Sequence, residues 1–178
     1  MYNYTIDHTL VYDGEIVEPV TVEEAKLYCR VTNDVEDGLF EDLITQSREA
    51  IEKATGLSLV PKIAIVWFSN LAGMYQFQFG PVQEITEILD AEGNEIAPAH
   101  YRIIGGQYPM IQRPFWTDLK ATYSCGFPEG TLPKELKIAM LDQINYGYEN
   151  RGMDVDDMGV CEKTWRVCQR WTRTSPIL

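Results

Sequence analysis

A chain of 178 residues, 45% of them hydrophobic and 24% charged, is long enough to bury one core without a disulfide or metal. Its 27 acidic residues outnumber 15 basic ones, and the formal net charge of −12 argues against general nucleic-acid binding, which neutralises phosphates with cations. It has no apolar run of about 18 residues and no secretory signal pattern, so we expect a cytosolic protein that spans no membrane.

The first segment, residues 1–18, is predicted to form a hairpin or an arm. YTIDHTLVY alternates in places, the Asp13–Gly14 pair is a typical two-residue turn, and EIVEPV would be the returning strand. Pro19 then ends the extended segment.

Two helices are predicted next. In PVTVEEAKLYCRV, Thr21 is an N-cap and Glu24 completes a capping box, so a short helix runs to about Arg30. The following LFEDLITQSREAIEKATG has the spacing of an amphipathic helix, and Gly56 provides a left-handed C-cap. Its predicted buried stripe consists of Leu39, Phe40, Leu43, Ile44, Ser47, Ala50, Ile51 and Ala54.

The periodicity changes from helix to strand over residues 58–130. Five to seven short antiparallel strands are predicted, folded as a small sandwich or partial barrel. Gly93 marks one turn and Gly105–Gly106 interrupts another stretch. The predicted strands lie within KIAIVWFSN, MYQFQFGP, QEITEILDAEGNEI, AHYRIIGGQYPMIQR and TDLKATYSCGF.

Two further helices follow. LPKELKIAMLDQINYGYENRG begins with Pro133 in its first turn and has one apolar face, comprising Leu136, Ala139, Met140, Ile144, Gly147 and Tyr148. An acidic loop, 153–157, precedes a last helix, VCEKTWRVCQRWT. Its predicted buried stripe holds Cys161, Trp165, Cys168, and Trp171 or Thr172.

The resulting prediction is an α+β fold in one domain, residues 1–178. About four helices, in residues 19–57 and 131–173, form a bundle, and 58–130 are an inserted antiparallel β region. Neither helical half can bury its stripe alone, so the halves are expected to pack on each other.

Residues that could carry chemistry do not have the spacing that chemistry needs. His8 and His100 lie in predicted strands without a second ligand nearby, and Asp154, Asp156 and Asp157 lack the calcium-loop pattern. No serine nucleophile elbow or phosphate-binding glycine loop is present. Reduced thiols are expected at the four cysteines, Cys29, Cys125, Cys161 and Cys168. We therefore predict no catalytic, metal-binding or cofactor-binding residue, no cofactor, and no enzyme.

The C-terminal segment KTWRVCQRWTRT combines tryptophan with arginine, and residues 160–178 carry a local net charge of +3. Trp and Arg are typical anchors of protein interfaces. Two other readings are buried tryptophans beside solvated arginines, and stacking with single-stranded nucleic acid. An interface is favoured, with Trp165, Arg166, Arg170, Trp171 and Arg173 as its candidate residues.

Three segments together resemble the head–tail connector proteins of tailed bacteriophages. They are the capped PVTVEEAKLYCRV, the long helix LFEDLITQSREAIEKATGLSLV, and FPEGTLPKELKIAMLDQINYGYENRG, and together they span residues 19–152. The family has no catalytic residues to transfer. The resemblance implies a virion structural protein at the head–tail junction, present in the host bacterial cytoplasm before assembly.

The resemblance also implies partners. The chain would form a cyclic ring of about twelve or thirteen copies that binds the portal protein and a tail or stopper protein, while double-stranded DNA passes through without sequence-specific binding. An acidic body, including Glu41 and Asp42, could meet the basic C-terminal segment of another subunit. The alternatives are a monomeric binding module whose β insertion presents a ligand surface, and an accessory factor in nucleic-acid processing.

Overall fold

The computed structural model describes residues 4–151 and 159–172. Within these residues the chain divides into a helical unit, residues 17–60 and 128–172, and a β unit, residues 4–16 and 61–127. The helical unit contains α1 (Val22–Cys29), α2 (Asp37–Thr55), α3 (Lys134–Glu149) and α4 (Glu162–Trp171). The β unit contains β1 (Tyr4–Tyr12), β2 (Lys62–Gln76), β3 (Val82–Asp90), β4 (Arg102–Ile104) and β5 (Met110–Cys125). The predicted α+β class is confirmed.

The predicted capping box of α1 is present. The Glu24 backbone N–H donates to Thr21 Oγ1 at 3.2 Å, and the Thr21 N–H donates to Glu24 Oε2 at 3.1 Å. Two N-terminal donors that the helix cannot satisfy are thereby bonded. The helix ends at Arg30, which adopts the left-handed conformation with φ 60°.

The long helix α2 ends as predicted at Gly56, with φ 70°. Its buried face includes Phe40, Leu43, Ile44, Ser47 and Ile51, all on the predicted stripe. The stripe also contains an unpredicted residue, Arg48, whose exposed fraction is 0%. Arg48 Nε lies 3.0 Å from both carboxylate oxygens of Glu18, and Nη1 donates to Glu52 at 3.2 Å. The guanidinium thus joins the segment before α1 to α2.

Helix α3 packs closely against α2. A Cβ at Gly147 would lie 2.8 Å from Leu43 Cδ2, which is too close for a real contact, so the glycine permits the approach of the two helices. The buried residues of α3 agree with the predicted face except that Gln143 is also buried and Tyr148 is only half-buried. Gln143 Oε1 accepts a hydrogen bond from the Cys161 N–H at 2.8 Å, at the start of α4.

The face that helix α4 buries differs from the predicted one. The residues it buries are Thr164 and Cys168, whereas Trp165, expected on the buried stripe, is 45% exposed. Thr164 Oγ1 donates to the Ala139 carbonyl at 2.8 Å. That bond satisfies the Thr164 hydroxyl inside the unit, and the larger indole is left facing solvent.

All five strands of the β unit belong to one antiparallel sheet, in the order β1-β2-β5-β3, with β4 also paired to β5. β2 and β5 are longer than predicted, because each joins two predicted strands through register shifts near Leu71. The predicted N-terminal hairpin is wrong: β1 pairs with β2 from Tyr4–Ser69 to Tyr12–Lys62, and residues 16–18 form no strand. The core contains aromatic edge-to-face pairs. The ring centroids of Phe68 and Tyr75 are 4.5 Å apart, and those of Phe77 and Tyr123 are 5.0 Å apart.

Candidate assembly surface

The groups that could carry chemistry lie apart in the structure. In residues 4–151 and 159–172, no three His, Cys, Asp or Glu side chains are placed to hold a metal ion. His8 is exposed, 4.9 Å from the ring of Phe79, and His100 ends a short 3₁₀ turn. The carboxylates Asp154, Asp156 and Asp157 lie outside the described residues.

All four cysteines are thiols rather than disulfides, as the sequence predicted. Burial raises the pKa of Cys168 to about 11, and burial also raises the pKa of Cys29. Because the thiolate is the reactive form, neither group is activated as a nucleophile. None of the helices that the structure describes has both the length and the apolar composition needed to cross a bilayer.

The arginines of α4 lie against carboxylates of the same unit. Arg166 Nη2 is 2.5 Å from Glu162 one turn earlier, and Arg170 forms an ion pair with Glu135 of α3. Trp171 Nε1 also donates to Glu135, at 2.9 Å. Glu135 thus fixes the end of α4 on the start of α3. Of the predicted interface residues, the structure brings together Arg170 and Trp171 through this carboxylate.

The remaining predicted interface residues are placed as follows. Trp165 is exposed beside Arg166, Glu41 and Asp42 are exposed on α2, and Arg173 lies outside the described residues. Exposed ion pairs contribute little to stability, so the pairs that Arg166 and Arg170 make are expected to add little to the free energy of unfolding. The predicted pairing of a basic tail with an acidic body stays a prediction.

Two aliphatic side chains that the sequence analysis did not select are almost fully exposed. Leu27 on α1 is 80% exposed and Val35, in the loop before α2, is 90% exposed. The loop is held by Lys26, whose Nζ lies 2.6 Å from both Asp34 and Asp37. In the sequence, Val35 lies between the two predicted helices, so no helical stripe buries it.

Glu135 gives a prediction about pH. Arg170 first, and Trp171 second, hold the pKa of Glu135 below its usual value. A carboxyl with a lowered folded pKa stabilises the fold above its unfolded pKa of about 4.3, and this contribution disappears as pH falls through the folded value. We expect Glu135→Gln to lower the free energy of unfolding at pH 7, with the difference from wild type vanishing in acid.

Urea unfolding of both chains at a series of pH values measures that difference. Glu129→Gln is the control, because Glu129 lies exposed on the turn before α3. A Glu135→Gln effect of constant size from pH 7 down to acid would show that the ion pair does not carry the stabilisation.

Comparisons with known proteins agree with the predicted resemblance. Residues 19–104 match the family of phage gp6-like head-tail connector proteins. The search of curated proteins gives no match. The predicted resemblance to head–tail connectors is confirmed by the family match.

The fold of the whole chain also occurs in solved particles. A chain from the "Neck of empty GTA particle computed with C6 symmetry" has a TM-score of 0.67 and 19% identity, with 98% of this chain and 96% of that chain covered. A chain from the "Virion of native gene transfer agent (GTA) particle" has a TM-score of 0.66 and 20% identity, with the same coverage of both chains. A chain from the "Neck of native GTA particle computed with C12 symmetry" has a TM-score of 0.56 and 22% identity, with 79% of this chain and 89% of that chain covered. At these identities the likeness is one of fold.

Proposed function

Because this chain resembles the phage gp6-like head–tail connectors in sequence over residues 19–104, and the particle neck chains in fold, we propose that it forms a ring at the head–tail junction. The ring would bind the portal protein on one side and a tail or stopper protein on the other. Double-stranded DNA would pass through it during packaging and ejection. The role is structural and involves no catalysis.

The family match is the observation that carries this proposal. The cyclic arrangement is supported by the C6 and C12 symmetries with which the neck structures that share the fold were computed. Rings are built from head-to-tail contacts, in which two different patches of each subunit meet. A ring of about twelve or thirteen copies is the proposed form.

Charge supports the passage of DNA. A net charge of −12 repels phosphate, so an acidic ring would not hold the duplex as it moves. Arg166 and Arg170, which could otherwise bind phosphate, already lie against Glu162 and Glu135. The surface of α4 is therefore better suited to a protein partner than to nucleic acid.

We assign the portal contact to α4, with Trp165 as its anchor. Large exposed aromatic residues supply most of the energy in many interfaces, and Arg166 beside it adds a charged rim. Glu41 and Asp42 on α2, with Leu27 and Val35, are proposed for contacts between neighbouring subunits.

The proposal is tested by deleting the gene and imaging the particles that the strain produces. We expect DNA-filled heads without tails, and tails restored when the wild-type chain is supplied from a plasmid. Electron cryomicroscopy of restored particles should show this fold as a ring between the portal and the tail. Normal tailed particles from the deletion strain, or a chain that stays monomeric and absent from particles, would refute the connector role.

A further inference from the structure

A cationic cleft lies in the β unit, where β4 pairs with β5. It has a volume of about 310 Å³ and is lined by Ala99, Tyr101, Arg102, Gln112 and Arg113. Two of these five residues are arginines and none is acidic, in a chain where acidic residues are nearly twice as numerous as basic ones. The local charge is thus opposite to that of the whole protein.

Arg113 is buried, and no carboxylate of the described residues pairs with it. Its exposed fraction is 7%, and Nε and Nη1 have no hydrogen-bond partner among the described residues. It follows the buried Ile111 on the same face of β5, opposite Gly73 of β2, which has no side chain to cover it. Burial lowers the pKa of the Arg113 guanidinium. Unpaired buried charges are unfavourable, so they are usually compensated or functional.

Arg48 is a second buried arginine, and its role is purely structural. Arg48 is held by the carboxylates of Glu18 and Glu52. Arg113 has the same side chain at similar burial, yet no described carboxylate reaches it. Among the described residues, therefore, Arg48 has its counter-charges and Arg113 does not, and a carboxylate of another molecule would supply what is missing.

The surface around the cleft resembles a protein interface. Met74, Gln112 and Arg102 lie side by side across β2, β5 and β4, on the face of the sheet opposite to that of Arg113. Met74 and the neighbouring Ile104 are exposed, and the described residues place no strand on the outer edge of β4. Methionine and arginine are enriched in interfaces, and an uncovered edge strand is a common place for a second chain to bind.

We propose that the cleft receives an Asp or Glu side chain from a second copy of this chain, as one of the contacts that close the ring. The proposal rests on the proposed function. A guanidinium binds a carboxylate through parallel hydrogen bonds, and each copy carries 27 acidic residues that could supply it. Duplex DNA is a poorer match, because phosphate contacts that let DNA slide would use exposed cations, whereas Arg113 is recessed between strands.

The first test compares two properties of Arg113→Met. Because the substitution removes a buried charge that has no partner among residues 4–151 and 159–172, we expect the Tm of the free protein to be unchanged or raised. In a deletion strain supplied with the variant, we expect the amount of this chain per purified particle to fall at least tenfold. A lowered Tm, or unchanged incorporation, would overturn the proposal.

Arg30→Met is the matched control, because Arg30 is an exposed arginine on the helical unit. It should leave both the Tm and the incorporation unchanged. If the wild-type chain itself is absent from particles, the proposed function fails. If wild-type and Arg113→Met chains are incorporated equally, only the present inference fails.

The second test identifies the occupant directly and does not depend on the stability of an arginine variant. A photo-crosslinking amino acid replaces Gln112 in the full chain, and assembled particles are irradiated and digested. We expect a crosslinked peptide of this same chain that contains Asp or Glu, between two copies. A crosslink to DNA, a crosslink to the portal or a tail protein, or no crosslink in particles that contain the chain would each overturn the assignment.

Discussion

Replacing Arg48 by alanine is expected to lower the free energy of unfolding by about 3–5 kcal/mol, the range typical when one partner of a buried ion pair is removed. The side chain is fully buried, and it connects Glu18 with Glu52. Without the guanidinium, both carboxylates lose their cation, and the space it filled becomes a cavity. Urea unfolding followed by circular dichroism measures the change.

Arg166→Ala is a closely matched control for this prediction. Arg48 pairs with Glu52 and Arg166 pairs with Glu162 at the same four-residue separation, but the second pair is exposed. The expected cost at Arg166 is about 0–1 kcal/mol. Equal effects at the two sites would mean that burial does not decide the contribution of the arginine.

Replacing Trp165 by alanine is expected to remove most of the affinity for the portal while leaving the fold intact. The indole is exposed, so its loss opens no cavity. If Trp165 is the anchor of the interface, its truncation costs about 2 kcal/mol or more in binding, which is about a thirtyfold rise in Kd or greater. Binding of the purified chain to immobilised portal protein, or its incorporation into particles, provides the measurement.

Ile138→Ala serves as the control for Trp165, since Ile138 is another large apolar side chain exposed in the helical unit, on α3. Its expected effect on portal binding is small. Unchanged binding by Trp165→Ala would remove α4 from the portal contact, and a large fall in Tm would show that the indole has a structural role instead.

The elements that the sequence predicted well are those specified by neighbouring residues. The capping box at Thr21 and Glu24, and the left-handed Gly56 at the end of α2, depend on a few adjacent positions. The apolar stripe of α2 follows from its spacing alone. These features can be predicted without knowing which other segment packs against them.

The features that the sequence did not predict depend on distant partners. Arg48 is buried because Glu18, thirty positions earlier, neutralises it. Thr164 is buried in place of Trp165 because its hydroxyl donates a hydrogen bond to the Ala139 carbonyl. In both cases a polar side chain is buried where an apolar one would be expected. A prediction based on apolar periodicity therefore assigns these positions wrongly.

Strand pairing was the other source of error. Asp13–Gly14 is a good local turn signal, but the β1 backbone is paired instead with β2, about fifty residues later. Breaks in alternation near Leu71 were interpreted as strand ends, whereas β2 continues through them with shifts in register. Arg113 was missed for a related reason, because its position on the core face of β5 follows from pairing opposite Gly73.

The way the β unit joins the rest of the chain has a consequence for modularity. Lys62 and Cys125, near the two ends of the segment 61–127, are opposite each other in the β2–β5 register, so their Cα atoms are only about 5 Å apart. A short bridge could therefore close the backbone if the intervening residues were excised. The segment between these two positions could therefore change in length while the chain ends that lead to α2 and α3 stay the same distance apart.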